Sequence, residues 1–586
     1  MSSFLICLGP QAQARLSHLL KHLPALSADI NRQPTSASTP RYHQYHNEQL
    51  AIALSGGNSG ITQTDNVVLA LEGYLTHRQE RGEALRKALI VEYLKQGESC
   101  VKNWRGSFRL VISHGGVTRI FSDQVASRPL FFHYHAQQAC YSSHAAPVLA
   151  TINKPTLDGA NLLQFLYAGR FFAGASPFKE LRQMAAGSGH RINTAANLPV
   201  RDGERAHYCP EKFIWYKYHL QNQPLQAQDV LPELKARLDR VILSHWQRAD
   251  NPSLILSGGY DSRYLLNTLA EHLSEQELKP LLTFLWGERS SDPNTDAAWA
   301  EREAARVGVA FEFFPGRQSL ATLFDSMFAA QSGMSAQIFT HGDERACCQI
   351  LAERGFASYF RGDECFGPNG AEVQNREQAL ARVGLGRLQS DAVSLQQGFK
   401  ADIDMWQAEH AEYIEKLSQM ADEPNDLRDL LYCRERLPSF NVHLSAHRRP
   451  FAETFNPFLD PDILDFVCQL PRHLRTDKRI FRQCFLHYYP TEGFATTDNG
   501  FNWHRLWQQA ELGAFIREKL AALPTPFNGG YWRALGRLLT SNDGSVAINP
   551  AERVRSLQIL VRVVVLGQWL NLAADIGQSA YQVYQH

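Results

Sequence analysis

One stretch of this chain has the residue types and spacing for chemistry on a phosphate: Leu254-Ile255-Leu256-Ser257-Gly258-Gly259-Tyr260-Asp261-Ser262-Arg263. Three apolar residues read as a short buried strand, two glycines permit a tight turn, and a helical stretch follows. Backbone N–H groups at such a helix start, with the Ser257 and Ser262 hydroxyls, make an anion cradle. The Asp261 carboxylate would be repelled by phosphate unless a cation lies between them, so the stretch implies Mg²⁺ held by Asp261. It lacks the Gly-Lys-Ser/Thr ending of a Walker loop. A plain strand-to-helix turn explains a bare Ser-Gly-Gly, but not the whole Ser-Gly-Gly-x-Asp-Ser after an apolar strand.

The surrounding elements alternate. Residues 231–247 have amphipathic helical spacing, 280–285 and 310–314 read as apolar strands, and 296–307 as a helix. That order predicts a parallel, doubly wound α/β sheet. Beyond about residue 370 helical periodicity dominates, over 377–395, 404–419, 426–437 and from 553 onward. The first part of the chain is different. Short apolar or alternating runs at 5–8, 67–71, 108–113, 118–122 and 130–134, with helical spacing at 84–96, predict an α+β or layered β unit. The polar segment 201–228, with Pro210 and Pro224, marks the boundary, giving domains 1–215 and 225–586.

Composition narrows the class. Lys+Arg and Asp+Glu are both 59, so no basic excess points to nucleic acid as a partner. Ten cysteines without a CxxC pair exclude a zinc ribbon and fit reduced thiols in a cytoplasmic protein. The apolar start, Phe4 to Leu8, has no basic region before it and reads as a strand, not a signal peptide. Residues 557–572 are apolar but broken by Arg562, Gln568 and Asn571, which predicts a buried helix and no membrane partner.

At the Ser257–Ser262 motif the sequence resembles the PP-loop ATP pyrophosphatases, and within them the asparagine synthetase family. Thr283-Phe284 and Asp296 resemble the family's second nucleotide-side element. Arg361-Gly362-Asp363-Glu364-Cys365-Phe366-Gly367 resembles its SDE-x-FGG segment. Asn456-Pro457-Phe458-Leu459-Asp460 and Leu470-Pro471 through Arg475 resemble its PFLD…LP-x-x-x-R stretch. Leu71-Glu72-Gly73-Tyr74-Leu75, Trp104 to Phe108, and Ser122-Asp123 through Phe132 resemble the family's N-terminal strands. The resemblance implies an N-terminal Ntn-hydrolase-like αββα sandwich, akin to class II glutamine amidotransferases. A PP-loop synthetase domain with a helical C-terminal part would follow it. It implies ATP on Leu256, Ser257, Gly258, Gly259, Asp261, Ser262, Thr283, Phe284 and Gly362. Mg²⁺ would lie on Asp261 and Asp363, and Asp261, Asp363 and Glu364 would be the catalytic set.

The pattern breaks in three places. The glutaminase nucleophile is a Cys directly after the initiator Met, and here that residue is Ser2. Phe360 stands where relatives carry a Glu. Residues 495–501 lack the Lys that would stabilise charge on an acyl-adenylate. Lys478, Arg475 and Arg482 are substitutes by sequence proximity, although a solvated basic helix face explains each more simply. The expected activity is adenylation of a small-molecule or peptide carboxylate followed by transfer to an amine, without glutamine hydrolysis. This resembles β-lactam synthetases and lasso-peptide cyclases, and a homodimer fits the same reading. Glutamine-dependent asparagine synthesis and a non-catalytic nucleotide-binding scaffold are the alternatives.

Overall fold

A computed structural model describes residues 3–23, 42–135, 138–194, 208–287, 291–315, 320–339, 341–363, 365–366, 372–385, 400–489, 491–496, 510–523 and 550–576. The N-terminal half is a sandwich of two antiparallel six-stranded sheets. The first contains β1 (Ser3–Leu8), β2 (His43–His46), β3 (Leu50–Ser55), β8 (Phe131–His135), β9 (Gln138–Ser142) and β10 (Arg182–Gln183). The second contains β4 (Ser59–Gln63), β5 (Val67–Leu75), β6 (Gly106–His114), β7 (Val117–Ser122), β11 (Ser188–Asn193) and β12 (Glu211–Ile214).

Alternation along each strand builds four layers. Phe4, Ile6 and Leu8 of β1 meet Val68 and Ala70 of β5 between the sheets. Leu5 and Cys7 face the other way, onto Leu16 and Leu19 of the helix Ala12–Leu19. Val67, Leu69 and Leu71 likewise turn outward onto Leu85, Leu89 and Ile90 of the helix Gly82–Gln96. Strands covered on both faces need apolar residues on both, so β1 from Phe4 to Leu8 and β5 from Val67 to Leu71 are apolar runs. The result is an αββα sandwich.

The second half carries a five-stranded parallel sheet, ordered β15 (Ala310–Pro315), β14 (Leu282–Gly287), β13 (Pro252–Ile255), β16 (Ser358–Phe360), β17 (Glu453–Phe455). The chain winds outward from β13 to β15, then crosses back to β16. The order reverses at β13, so the carboxyl ends of β13 and β16 flank a topological switch point, where α/β sheets bind ligands.

Two elements differ from the sequence reading. The helix expected over 377–395 is described as Arg376–Arg382, because Gly384 takes a left-handed conformation with φ +79° and ends it; residues 386–395 lie outside the described residues. The helix expected over 426–437 runs from Pro424 to Leu431 and continues as a π-helix, Tyr432–Asn441, around Pro438.

The helix Pro550–Asp575 is long and apolar enough, over Leu557–Asp575, to cross a membrane by composition; 61% of that window is buried within the protein. Its Trp569 indole donates to Gly333 O at 3.0 Å, and Arg562 donates to Leu166 O at 2.8 Å. Leu560, Val563 and Leu566 join Leu5 and Cys7 in one core, so the two halves share apolar packing.

Candidate functional site

β13 delivers the Ser-Gly-Gly turn. The Leu256 amide still bonds Phe284 O at 3.0 Å, and the helix Tyr260–His272 begins four residues later. No side chain of its N-cap Gly259 satisfies the helix start. The loop polar groups instead serve one another. Ser257 N donates to Ser262 Oγ at 3.0 Å, and Gly259 N donates to Ser257 Oγ at 3.3 Å. Gly258 N donates to Asp296 Oδ1 at 2.9 Å, so a carboxylate already occupies this part of the anion cradle.

Thr283 and Phe284, expected at the nucleotide, spend their side chains inside the sheet. Thr283 Oγ1 donates to Ala310 O at 2.7 Å, and the Phe284 ring packs against Phe314 and Tyr359. Of the two, Phe284 borders the loop, through its backbone carbonyl. Phe494 stacks on Tyr260 with ring centroids 4.0 Å apart, and Gly493 O accepts from Arg263 at 2.9 Å. The segment 491–496 thus covers the helix start, and a Cβ on Gly258 would meet Ala495 Cβ at 2.6 Å.

β16 delivers Arg361-Gly362-Asp363. A Cβ on Gly362 would lie 2.9 Å from Asp261 Cβ and 3.0 Å from its carbonyl carbon. Only glycine lets this segment pass so near the loop. That close approach brings the two aspartates together. Asp261 Oδ2 accepts from Lys478 Nζ at 2.9 Å. Its Oδ1 is buried and has no hydrogen-bond partner among the described residues. Burial pushes its pKa up, Lys478 opposes that, and the nearby Asp363 adds to it. Asp363 Oδ1 accepts from Arg361 Nε at 2.8 Å, and Oδ2 from Asn456 Nδ2 at 3.0 Å. Glu364 lies outside the described residues, as does Ser2.

Arg361 is itself anchored. Its Nη1 meets Glu344 Oε1 at 3.3 Å, and Glu344 is fully buried against Arg448, with His341 Nδ1 at 3.0 Å. Burial alone would raise the Glu344 pKa; Arg448 leads the groups that reverse this and hold it well below the usual carboxylate range. Asn456, Arg361 and Glu344 are the site neighbours that sequence reasoning left unassigned. Asn456 follows β17 directly, but its partner became identifiable only once β17 and β16 were paired.

The three cationic substitutes separate. Lys478 is 6% exposed and bound to Asp261. Arg475 is 1% exposed and locked to Asp426 and Asp429, a structural role. Arg482 pairs with Asp477 and lies over the Tyr260 ring at 5.6 Å. The solvated helix face expected for Lys478 and Arg475 is therefore overturned. Asp477 and Lys478 both hold left-handed backbone, φ +57° and +55°, which costs about 1–2 kcal/mol per residue. Here that conformation accompanies the placement of the ammonium on Asp261.

The sheet, the switch point and the paired aspartates define a nucleotide-using α/β synthetase. Residues 233–559, more than half the chain, match the family model described as asparagine synthase, and the chain belongs to that family. This half is an asparagine synthase-type, ATP-dependent amide ligase domain. No curated protein matches at a significant level. Among solved structures the chain is similar to a glutamine phosphoribosylpyrophosphate amidotransferase from B. subtilis complexed with ADP and GMP. That match has 10% identity, covers 54% of this chain and 66% of that one, and has a TM-score of 0.22. It is also similar to an allosteric regulatory enzyme of purine biosynthesis, at 10% identity over 53% of this chain and 80% of that one, with a TM-score of 0.23. The chain thus spans just under two thirds of the first structure's length.

Proposed function

We propose that this protein activates a carboxylate with ATP, releasing pyrophosphate, and transfers the acyl group to an amine carried by a second substrate. The observation that carries the reading is the convergence of Asp261 and Asp363 at the switch point, with Lys478 on one oxygen of Asp261 and its other oxygen buried without a partner. A buried carboxylate oxygen left open is costly unless a ligand completes it.

The residues present fit Mg²⁺. Asp261 and Asp363 would hold it, and bound there it would offset charge on the phosphates. The loop and helix-start amides bind the polyphosphate, with Asp296 giving up Gly258 N as they do so. Lys478 holds a positive charge where negative charge develops as the substrate oxygen bonds to the α-phosphorus and the bond to pyrophosphate breaks. The amine nitrogen then bonds to the acyl carbon, AMP departs, and the amine loses a proton. Ser2, where the family's glutaminase nucleophile is a Cys, supports an amine that belongs to a substrate rather than ammonia released from glutamine.

The test is Mg²⁺-dependent ATP–pyrophosphate exchange with pools of aspartate, β-amino acids, sugar acids and peptides, each with and without glutamine. Carboxylate-dependent exchange lost in Asp261→Asn supports the reading. ATP binding without exchange in any pool supports the scaffold alternative. Glutamate formation coupled to AMP release supports glutamine dependence.

A further inference from the structure

Between the two halves lies a cavity of about 740 Å³, its open mouth included. Tyr74, Ser107 and Arg128 bound it on the sandwich side, and Ser445 and Arg449 on the synthetase side; its wall reaches Asp363. Two further hollows adjoin it, and Arg449 lines all three.

Arg449 stands apart from the ion pairs around it. Buried Glu72 accepts from Arg109 and from Arg128, each at 3.1 Å, and Glu453 pairs with the other end of Arg128. Asp123, also nearby, is occupied by the amides of Phe108, Val125 and Ser127 and by the Ser127 hydroxyl. Arg449 donates to the Ser127 carbonyl, and no carboxylate lies within 4.0 Å of it among the described residues. His443 and His144 add no charge at neutral pH, because burial pushes both down to about 3. Burial, then Arg128 and Arg109, push Arg449 itself down to about 9, with Glu72 and Glu453 opposing them in part. A desolvated cation beside like charges is expensive, and an anion in the cavity would relieve it. Asp363 and Asp460 also line the cavity, and their carboxylates attract an ammonium.

We propose that this cavity binds the amine substrate, and that this substrate is an aminocarboxylate whose carboxylate sits on Arg449 while its amine points towards Asp363. The proposal rests on the ligase reading, because only that reading calls for an amine near Asp363. It is tested on the full chain without ATP, by calorimetric titration and thermal melting with glycine, 4-aminobutyrate and 6-aminohexanoate, against butylamine and butyrate. At least one aminocarboxylate should bind saturably and raise the melting temperature more than butylamine and butyrate at equal concentration. Arg449→Gln should weaken that binding about tenfold or more. Ser445→Phe, which fills the cavity wall and keeps Arg449, should abolish it, and Arg376→Gln on an exposed helix should leave it intact. If Arg449→Gln fails to fold, Ser445→Phe decides. No binding by any aminocarboxylate, or equal binding by wild type and Ser445→Phe, overturns the proposal. Because binding is read without ATP, its failure with exchange intact refutes the cavity alone. Loss of exchange with binding intact refutes the ligase reading alone.

Discussion

Two aspartates, Asp123 fully buried in the sandwich and Asp261 half-buried in the synthetase half, show how differently a carboxylate can be treated. Burial raises the pKa of both. Asp123 in the sandwich accepts on each oxygen: Val125 N at 3.0 Å and Ser127 N at 2.9 Å on Oδ1, Phe108 N at 3.1 Å and Ser127 Oγ at 2.5 Å on Oδ2. Asp261 in the synthetase half has Lys478 on one oxygen and no partner on the other. Asp123 is completed by the protein and holds a turn together. Asp261 is left for something the chain does not supply. Desolvation raises both, and the number of satisfied lone pairs separates the structural acid from the functional one.

The sharpest way to break that contrast is to remove each acid. Asp261→Asn should lower exchange at least about 10³-fold with the fold intact, since it removes a charge beside the phosphate. Asp123→Ala should do the opposite. It strands three buried amides, lowering stability by about 3 kcal/mol or more in denaturant unfolding, while the folded fraction keeps its activity. An Asp123 variant that folds well but is inactive would end the distinction.

Lys478→Met should cost about 10²–10³-fold in exchange rate and leave ATP binding measurable by titration. Equal rates would return Lys478 to a purely structural role. Gly362→Ala tests the close approach of the two loops. The added carbon meets Asp261 Cβ at 2.9 Å and its backbone at 3.0 Å, so the aspartates must separate. A fall of roughly 10–100-fold is expected, with the melting temperature changed far less, because misplacing reacting groups by about 1 Å costs rate at that scale.

The smallest effect concerns the boundary between the halves. Asp460 caps the helix Pro461–Gln469 through Asp462 N and accepts from Thr76 of the sandwich at 2.8 Å. Burial pushes its pKa up to about 6, above its unfolded value of about 3.9. Its contribution is therefore fully present below pH of about 4 and is lost as pH rises through about 6. Asp460→Asn, which can still cap and still meet Thr76, should raise stability by about 1–3 kcal/mol at pH 8 and change little at pH 4. Melting at the two pH values checks the sign.

The sandwich strands β1, β5, β6 and β7 were readable because doubly covered strands leave apolar runs bounded by turn residues. Short or exposed strands such as β2 and β12 carry no such run, since few of their side chains are buried. In the site, Asp261 and the Ser-Gly-Gly turn announce themselves by spacing. Lys478 does not, because two consecutive left-handed residues turn its ammonium inward, and no local pattern specifies them. Glu344 looks like an ordinary acid in a first helical turn until Arg361 and Arg448 arrive from β16 and from the segment before β17.

By itself the sequence determined the strand–turn–helix, the acid within it, and the two kinds of architecture, since these follow from short-range spacing and backbone preference. The tertiary structure decided which carboxylate oxygen stays open, which lysine answers it, and where an arginine outside any ion pair meets a cavity. Those depend on strands more than a hundred residues apart in sequence lying side by side, and on whether the groups they bring together satisfy one another once water has been excluded.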